Sequence, residues 1–404
     1  MPAARTALVI GGGIAGPVAA TALCKAGLQA TVYEAYPAAS NGIGSALALA
    51  PNGLAALSII DADDSVRDIA LPITATAMSM GGKNLGAVPG LKGLPPLQMV
   101  DRGDLHRVLH DRAVAAGVHF EYGKRLVGVD ENPDSVTARF ADGTAVTASI
   151  LIGADGVRST VRPLIDPDAP PAGYTGLLGF GGYVDADIDL DPGTMIFAFG
   201  SRAYYLYWTM PDGRVAWGAN LPSKEYLTLT QARAIPAEDW LRTLRATYAG
   251  DVPGQTFAER STAESLEVLG AIHIMPPVPH WYRGRMVLVG DSVHAPSNST
   301  GQGASLAIES AIELARCLRD SGDVATAFAA YERLRRPRVE KIAKRGARLN
   351  HAKAPGPVAR KIMQVMMPII FKAMKPEKTM GWEQRYTIDW DAPVESTSVT
   401  ADRS

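Results

Sequence analysis

The chain has 404 residues, 47% of them hydrophobic and 20% charged, and its 40 basic and 41 acidic side chains leave a formal charge of −1. That balance excludes a strongly basic nucleic-acid binder, a disordered acidic tail protein and a fibrous repeat. A chain of this length predicts two or three packed units with ample apolar material to bury.

Cys24 and Cys317 are the two cysteines. Both sit in Ala/Leu-rich helical patterns, so no disulfide framework is expected and a reducing cytoplasm is the expected setting. The amino terminus lacks the succession of a secretory signal. The apolar stretch Ile362 to Met374 is interrupted by Gln364 and Lys372 and falls short of the roughly 20 residues that span a bilayer. A soluble protein without nucleic-acid or membrane partners is expected.

In chain order, Ala7 to Ile10 reads as a strand, a glycine cluster follows, a helix runs from about Gly13 to Ala26, Gly27 stops it, and Ala30 to Tyr33 is a second strand: a βαβ unit. A helix is predicted over Asn52 to Ile60. Met80 to Pro96, rich in Gly and Pro, reads as irregular or short-stranded. Leu105 to Ala116 is an amphipathic helix, followed by strands near Val118 to Tyr122, Arg125 to Glu131, Ser135 to Phe140 and Ala145 to Leu151. From about Gly173 to Leu269, strand-like runs parted by Asp-Gly and Asp-Pro turns predict a mostly antiparallel sheet with an aromatic face, interrupted by a helix near Glu238 to Tyr248. Arg285 to Val289 reads as a buried strand and Gly303 to Leu318 as a helix.

Three segments carry chemistry. Gly11-Gly12-Gly13-Ile14-Ala15-Gly16 follows a strand and opens a helix, and Glu34 stands eighteen residues beyond the last glycine. Gly11 permits the tight turn, Gly13 lets the backbone approach a pyrophosphate at the helix amino terminus, Gly16 allows close helix–strand packing, and Glu34 accepts from a ribose. An acidic residue there favours FAD or NAD over NADP as the tightly held ligand. Met286 to Val289 is a strand ending in Gly290-Asp291, followed by His294-Ala295-Pro296 and by Gly301-Gln302-Gly303-Ala304 at a helix start. Asp291 is placed to accept from ribityl or ribose hydroxyls, and the backbone N–H groups of Gly301 to Ala304 to face a developing negative charge, as on the pyrimidine edge of a reduced flavin. The third segment, Ile150 to Gly153, leads into Asp155-Gly156 and the basic residues Arg158 and Arg162. Alone, it could also be read as a strand-to-helix turn with solvated arginines.

In this order, the three segments resemble the fingerprints of the FAD-dependent aromatic hydroxylases of the p-hydroxybenzoate hydroxylase type, the single-component flavoprotein monooxygenases. The resemblance spans roughly residues 7 to 350 and extends to Gly44 to Asn52, Asp101-Arg102 to Leu109, and Tyr331 to Arg338 with its Arg335-Arg336-Pro337 core. It implies an α/β fold: a Rossmann-like FAD-binding domain (1–72, 98–172 and 273–350), an inserted, mostly antiparallel β-sheet substrate domain (73–97 and 173–272), and a C-terminal helical segment and tail (351–404). It implies FAD contacts from Gly11, Gly13, Ile14, Ala15, Gly16, Glu34, Ala35, Ser45, Arg102, Asp155, Gly290, Asp291, Gly301, Gln302, Gly303 and Ala304, with Asp155 and its arginines also serving transiently bound NADPH or NADH. The chain departs from the family pattern in three places: no Lys or Arg occurs between Lys25 and Arg67, Asn298 replaces a common proline, and Ser310 replaces a common aspartate.

By the same resemblance, NAD(P)H reduces FAD, O2 adds at flavin C(4a), and the hydroperoxide passes one oxygen atom to an aromatic or polyketide-like small molecule. Hydroxylation is the first expectation; epoxidation and Baeyer–Villiger insertion use the same species. A flavin reductase or dehydrogenase on this scaffold, and a flavoprotein whose redox state switches a partner surface, are the competing readings. No metal and no side-chain nucleophile is required, because the cofactor carries the difficult step.

The strand Tyr204 to Thr209 alternates, placing Tyr205, Tyr207 and Thr209 on one face and Tyr204, Leu206 and Trp208 on the other. Tyr205, Tyr207 and Trp217, with Pro296 and Asn298, are the candidate substrate-pocket residues, although alternation does not say which face lines the pocket. His294 is expected to be structural, and His106 and His110 to lie on the surface. Arg333 to Lys361, with eleven Lys/Arg and one acid, Glu340, reads as a solvated helical face. The apolar tail, with Trp382 and Trp390, is expected to pack on the domain or on another subunit, as a monomer or homodimer.

Overall fold

The computed structural model describes residues 5–38, 46–351, 357–373 and 375–394. Ser45 lies outside the described residues. The apolar runs Thr6–Ile10, Ile150–Gly153 and Met286–Leu288 are nearly continuous in Ala, Val, Ile and Leu, as strands covered on both faces must be, and they are almost fully buried. They build one sheet in the order Tyr282–Arg283, Met286–Leu288, Ile150–Gly153, Thr6–Ile10, Gln29–Tyr33, His119–Glu121. It is parallel apart from its first, edge strand. The helices Ala15–Lys25 and Gly303–Asp320 pack together in its core. Parallel pairing brings the ends of the strands that lead into Gly11, Glu34, Asp155 and Asp291 to one edge of the sheet. That edge is where open α/β sheets hold their ligands.

A second, seven-stranded sheet has the order Leu266–Ile274, Gly173–Val184, Val215–Pro222, Tyr204–Thr209, Thr194–Phe199, Ala75–Met80, Lys83–Pro89. All its pairs are antiparallel except Thr194–Phe199 with Ala75–Met80. One face is closed by the helices Ala237–Tyr248 and Gly254–Arg260. The other packs on a small sheet of Ala46–Leu49, Leu97–Asp101 and Leu71–Ile73.

One sequence expectation is narrowed and another needs correction. The segment from Met80, expected to be irregular or short-stranded, begins with a hairpin: Lys83–Pro89 returns on Ala75–Met80 through Gly81 and Gly82, whose φ values are 59° and 74°. Two consecutive left-handed positions demand the Gly-Gly pair, and Gly86 and Pro89 hide the alternation of the returning strand. The single strand expected over Ala145 to Leu151 is two. Ala145–Ala148 pairs antiparallel with Val136–Phe140, and Ile150–Gly153 joins the parallel sheet. Between them, the Ser149 hydroxyl accepts from the Thr6 N–H and the Ser149 N–H donates to the Thr6 hydroxyl, turning the chain from one sheet to the other without breaking its apolar pattern.

The carboxyl-terminal part lies on this frame. Helix Val324–His351 packs against Gly303–Asp320, and Trp382, Tyr386, Trp390 and Val394 join the main core. Helix Pro357–Ala373 instead contacts the strand Lys83–Pro89.

Candidate active site

Three glycines show why the first motif takes this form. Gly11 has φ +104°, and a Cβ added there would stand 2.6 Å from the Ala154 carbonyl oxygen; one added at Gly16 would stand 2.0 Å from the Gly11 oxygen. Around Gly13 there is open space. The helix Ala15–Lys25 that follows has no capping side chain and no acid in its first turn, so its first N–H groups are left for an anion. Glu34 closes the turn: its Oε2 accepts from the Gly12 N–H at 2.7 Å and its Oε1 from the Tyr36 N–H at 2.9 Å. Each oxygen retains a lone pair for a ribose hydroxyl. Ala35 is half-buried beside it.

His106 is not a surface histidine. It is buried, and its Nε2 donates to the Gly12 carbonyl at 2.7 Å, so helix Arg102–Ala115 braces the glycine turn from behind. His110 is half-buried, bonded to the Tyr122 hydroxyl at 3.0 Å and packed on Phe120. The amphipathic pattern of this helix gave no sign of either partner.

At the next strand end, Asp155 Oδ2 accepts from the N–H groups of Thr160 and Val161 at 2.7 and 3.1 Å. Its Oδ1 is buried without a hydrogen-bond partner among the described residues. Burial pushes this carboxyl above the usual range, against the Ser159 hydroxyl and the backbone N–H groups. The two arginines expected to serve the nicotinamide nucleotide with Asp155 diverge: Arg158 is exposed, whereas Arg162 is buried and donates to the carbonyls of Ser292 and Val157. Arg162 thus ties the Asp155 turn to the Asp291 turn.

Gly290 has φ +64°, and a Cβ there would press on Ala15 and Ala307 at 3.0 and 3.2 Å. Only glycine fits between the two helix starts. Burial pushes the Asp291 carboxyl up to about 6, and exposed Arg102 opposes that rise. Beyond it, the Asn298 carbonyl accepts from the Gly301 N–H at 3.2 Å, so the carbonyl at the position of the missing proline is engaged within its own turn. Gly301 is left-handed at φ +62° and Gly303 has open space around it. Helix Gly303–Asp320 has neither a capping side chain nor an acid in its first turn.

Behind this helix start is a cluster that motif reading missed. Glu309 is fully buried and accepts from Arg335 at 2.6 Å, from Arg338 at 2.8 Å through each oxygen, and from the Asn52 amide at 2.6 Å. The same Asn52 amide donates to Gln302 Oε1 at 2.9 Å. Burial works against the Glu309 carboxylate, but the two guanidiniums hold it below the usual range. The basic run is therefore no solvated face throughout: Arg335 and Arg338 are buried and also contact the ring of Tyr386. His294 is buried, with Nε2 at 2.8 Å from the Ser310 hydroxyl; burial, then Arg335, push it down to about 3. It stays neutral, held by the serine that replaces the family's aspartate.

The expected pocket residues divide. Tyr205, Tyr207 and Trp217 are buried among Tyr248 and Phe257 under the two helices, which corrects their assignment to a pocket. The helical pair Ala237–Tyr248 and Gly254–Arg260 supplies the apolar cover that takes this face. On the opposite face, Tyr183, Phe197, Leu206 and Met210 remain half-exposed beside Trp208, Met99 and Ala48. Pro296 lines a different, apolar cavity of about 260 Å³ with Val278, Trp281, His294 and Val339. Asn298 is exposed in the turn before Gly301.

These features define a nucleotide crevice of the flavoprotein type, with two uncapped helix starts for anionic or electron-rich edges and carboxylates at three strand ends for hydroxyls. The unpartnered Asp155 oxygen and the open space at Gly13 and Gly303 fit such a ligand. The family model for the FAD binding domain matches residues 4–346, and the chain belongs to this family. It is 30% identical over 352 residues to the FAD-dependent urate hydroxylase of Klebsiella pneumoniae, across 83% of this chain and 87% of that protein. It is 30% identical over 361 residues to a 3-amino-4-hydroxybenzoate 2-monooxygenase of Streptomyces platensis, across 85% and 87%. The crystal structure of Klebsiella pneumoniae HpxO complexed with FAD and uric acid superposes with a TM-score of 0.80 at 25% identity, covering 94% of this chain and 96% of that one. The protein is an FAD-dependent monooxygenase.

Proposed function

We propose that the enzyme uses NAD(P)H and O2 to hydroxylate a small, electron-rich aromatic compound held between the flavin and the face of the seven-stranded sheet that carries Tyr183, Phe197, Leu206 and Trp208. One observation carries this reading: the uncapped start of helix Gly303–Asp320 adjoins Ala48, 3.9 Å from the position of a Cβ at Gly301, and Ala48 packs in the same cluster as that half-open apolar face. The substrates named for the relatives, urate and an aminohydroxybenzoate, are rings of this kind.

When bound, FAD supplies the electron transfer and the oxygen activation. The chain's residues bind, orient and exclude water. The Gly13 to Gly16 helix start takes the pyrophosphate and Glu34 takes the ribose of the adenosine half. Asp291 would accept from the ribityl chain, and Arg102 favours its charged form. The N–H groups from Gly301 to Ala304 would face the pyrimidine edge and stabilise negative charge there. Ile14, Ala15, Ala35 and Gly290 supply close backbone and apolar contact, and Asp155 with exposed Arg158 serves the nicotinamide nucleotide. The apolar wall keeps water from the reacting atoms, and it must place the ring to within about 1 Å, since an error of that size costs about a hundredfold.

The test is NAD(P)H oxidation by the FAD-loaded enzyme against a panel of phenols, aminophenols and purines, with product analysed after reaction under isotopically labelled O2. Stimulated oxidation with one labelled oxygen per product is expected. Equal oxidation with and without every compound, or an oxidised product without label, refutes the proposal.

A further inference from the structure

Helix Pro357–Ala373 uses only part of its apolar surface for packing. Met367 and Phe371, four residues apart and so on one face, join Met80, Leu85, Phe199 and Tyr204. The fit is close: a Cβ at Gly86 would stand 2.7 Å from the Phe371 side chain. Away from that contact, Ile362, Val365, Met366, Ile369 and Ile370 are 58%, 68%, 48%, 61% and 44% exposed. Their spacing of i, i+3, i+4, i+7 and i+8 makes a single stripe along the helix. They are five of the ten large hydrophobic residues exposed among the described residues, so half of that surface is concentrated on one helix. Scattered apolar side chains need no explanation, but a contiguous patch marks a contact surface.

The charge of the sequence that carries the stripe selects the partner. Between Glu340 and Glu377 the sequence has nine Lys/Arg and no Asp or Glu, although the whole chain is balanced; two of the nine, Lys344 and Arg345, pair with Glu340 and Glu383. Pairing with a second copy would bring two such basic segments together, whereas an anionic surface attracts both its ends. An apolar stripe in a basic setting, on a helix too short to cross a membrane, is the composition of a helix that lies in the lipid interface. No helix among the described residues is long and apolar enough to cross.

We propose that the outward stripe of helix Pro357–Ala373 docks the enzyme on an anionic lipid bilayer, with Val365, Ile369 and Ile370 entering the headgroup boundary. This revises the expectation of no membrane partner, which rested on the lack of a spanning segment. It is independent of the substrate proposed above.

The experiment is cosedimentation of the FAD-loaded full chain with vesicles of phosphatidylcholine alone and of phosphatidylcholine containing phosphatidylglycerol. Binding to the mixed vesicles is expected to exceed that to neutral ones by about tenfold or more and to weaken as salt rises. The double variant Val365→Asp/Ile369→Asp is expected to keep its FAD and its NAD(P)H oxidation and to lose at least about tenfold in vesicle binding. In a second readout, a polarity-sensitive dye on Met366→Cys should shift to the blue on addition of mixed vesicles. Wild-type protein that stays in the supernatant, a double variant that binds as well as wild type, or an unshifted dye overturns the proposal. A dimer that the double variant dissociates, without bilayer affinity in the wild type, also overturns it and assigns the stripe to a second copy.

Discussion

With Asp291 accepting from the ribityl chain, as proposed, the cofactor's affinity should depend on pH in a direction that the site dictates. The Asp291 carboxyl is held up to about 6 by burial, with Arg102 opposing. Hydroxyl donors of a ribityl chain favour the carboxylate and so lower that pKa on binding. A group whose pKa falls on binding takes up a proton when the ligand leaves, so protons compete with FAD. Above pH 7 the free protein is already ionised and affinity is flat; as pH falls through 6, affinity declines. From pH 7.5 to pH 5 the protonated share of the free protein rises from about 3% to about 90%, which weakens apparent binding about tenfold, equivalent to ~1.4 kcal/mol. His294 does not confuse the reading, since it is held down to about 3. The assay is titration of apoprotein with FAD, followed by flavin fluorescence, with circular dichroism to verify the fold at each pH. Asp291→Asn should bind about ten- to a hundredfold more weakly at pH 7.5, through loss of a charged acceptor, and show no decline towards pH 5. Equal wild-type affinity at the two pH values, or the same decline in the variant, refutes the assignment of Asp291 to the cofactor.

The remaining predictions concern the cluster behind the crevice and its outer wall. Glu309→Gln leaves Arg335 and Arg338 buried without their anion; breaking such a set costs about 3–5 kcal/mol, which for a chain of this size lowers the melting temperature by roughly 4–6 °C. Differential scanning calorimetry checks it, and an unchanged melting temperature counts against the cluster. Leu206→Trp fills the half-open face and should raise the KM for the aromatic substrate about tenfold or more, or release H2O2 in place of product, while Tyr207→Phe on the helix-covered face should change steady-state rates less than about twofold. Equal effects from the two would overturn the choice of face.

How much of this was legible depended on how local each signal is. The glycine turn, Asp155-Gly156 and Gly290-Asp291 could be read because a left-handed φ or a close backbone approach fixes one residue type at one position. The parallel sheet could be read because strands covered on both faces are apolar without interruption. The pocket face could not: Tyr205, Tyr207 and Leu206 are neighbours on one strand, and only the helices Ala237–Tyr248 and Gly254–Arg260, contributed some thirty to fifty residues later, decide which side is covered. The same holds for Ser149, whose exchange of hydrogen bonds with Thr6 divides a strand that sequence pattern leaves whole.

The least legible parts are polar pairs between distant segments, and these are what hold the crevice to its shape. His106 reaches back to Gly12, Arg162 forward to Ser292, and Asn52 across to Gln302 and Glu309. Each donates from one segment to a carbonyl or side chain of another, or to its support. A motif residue needs a particular backbone shape, which limits its identity; a brace needs only a donor at the right place, which many residue types and positions satisfy. Preorganisation of the helix starts therefore rests on pairings that leave no sequence signature, even where the residues lie in segments that do. The three departures from the family pattern are absorbed in the same way, Ser310 by its bonds with His294 and Arg335 and Asn298 by its carbonyl bond to Gly301. Where the run from Lys25 to Arg67 lacks a cation, helix Ala15–Lys25 still offers its uncapped N–H groups, and an anion at a helix start needs no side-chain charge to be held.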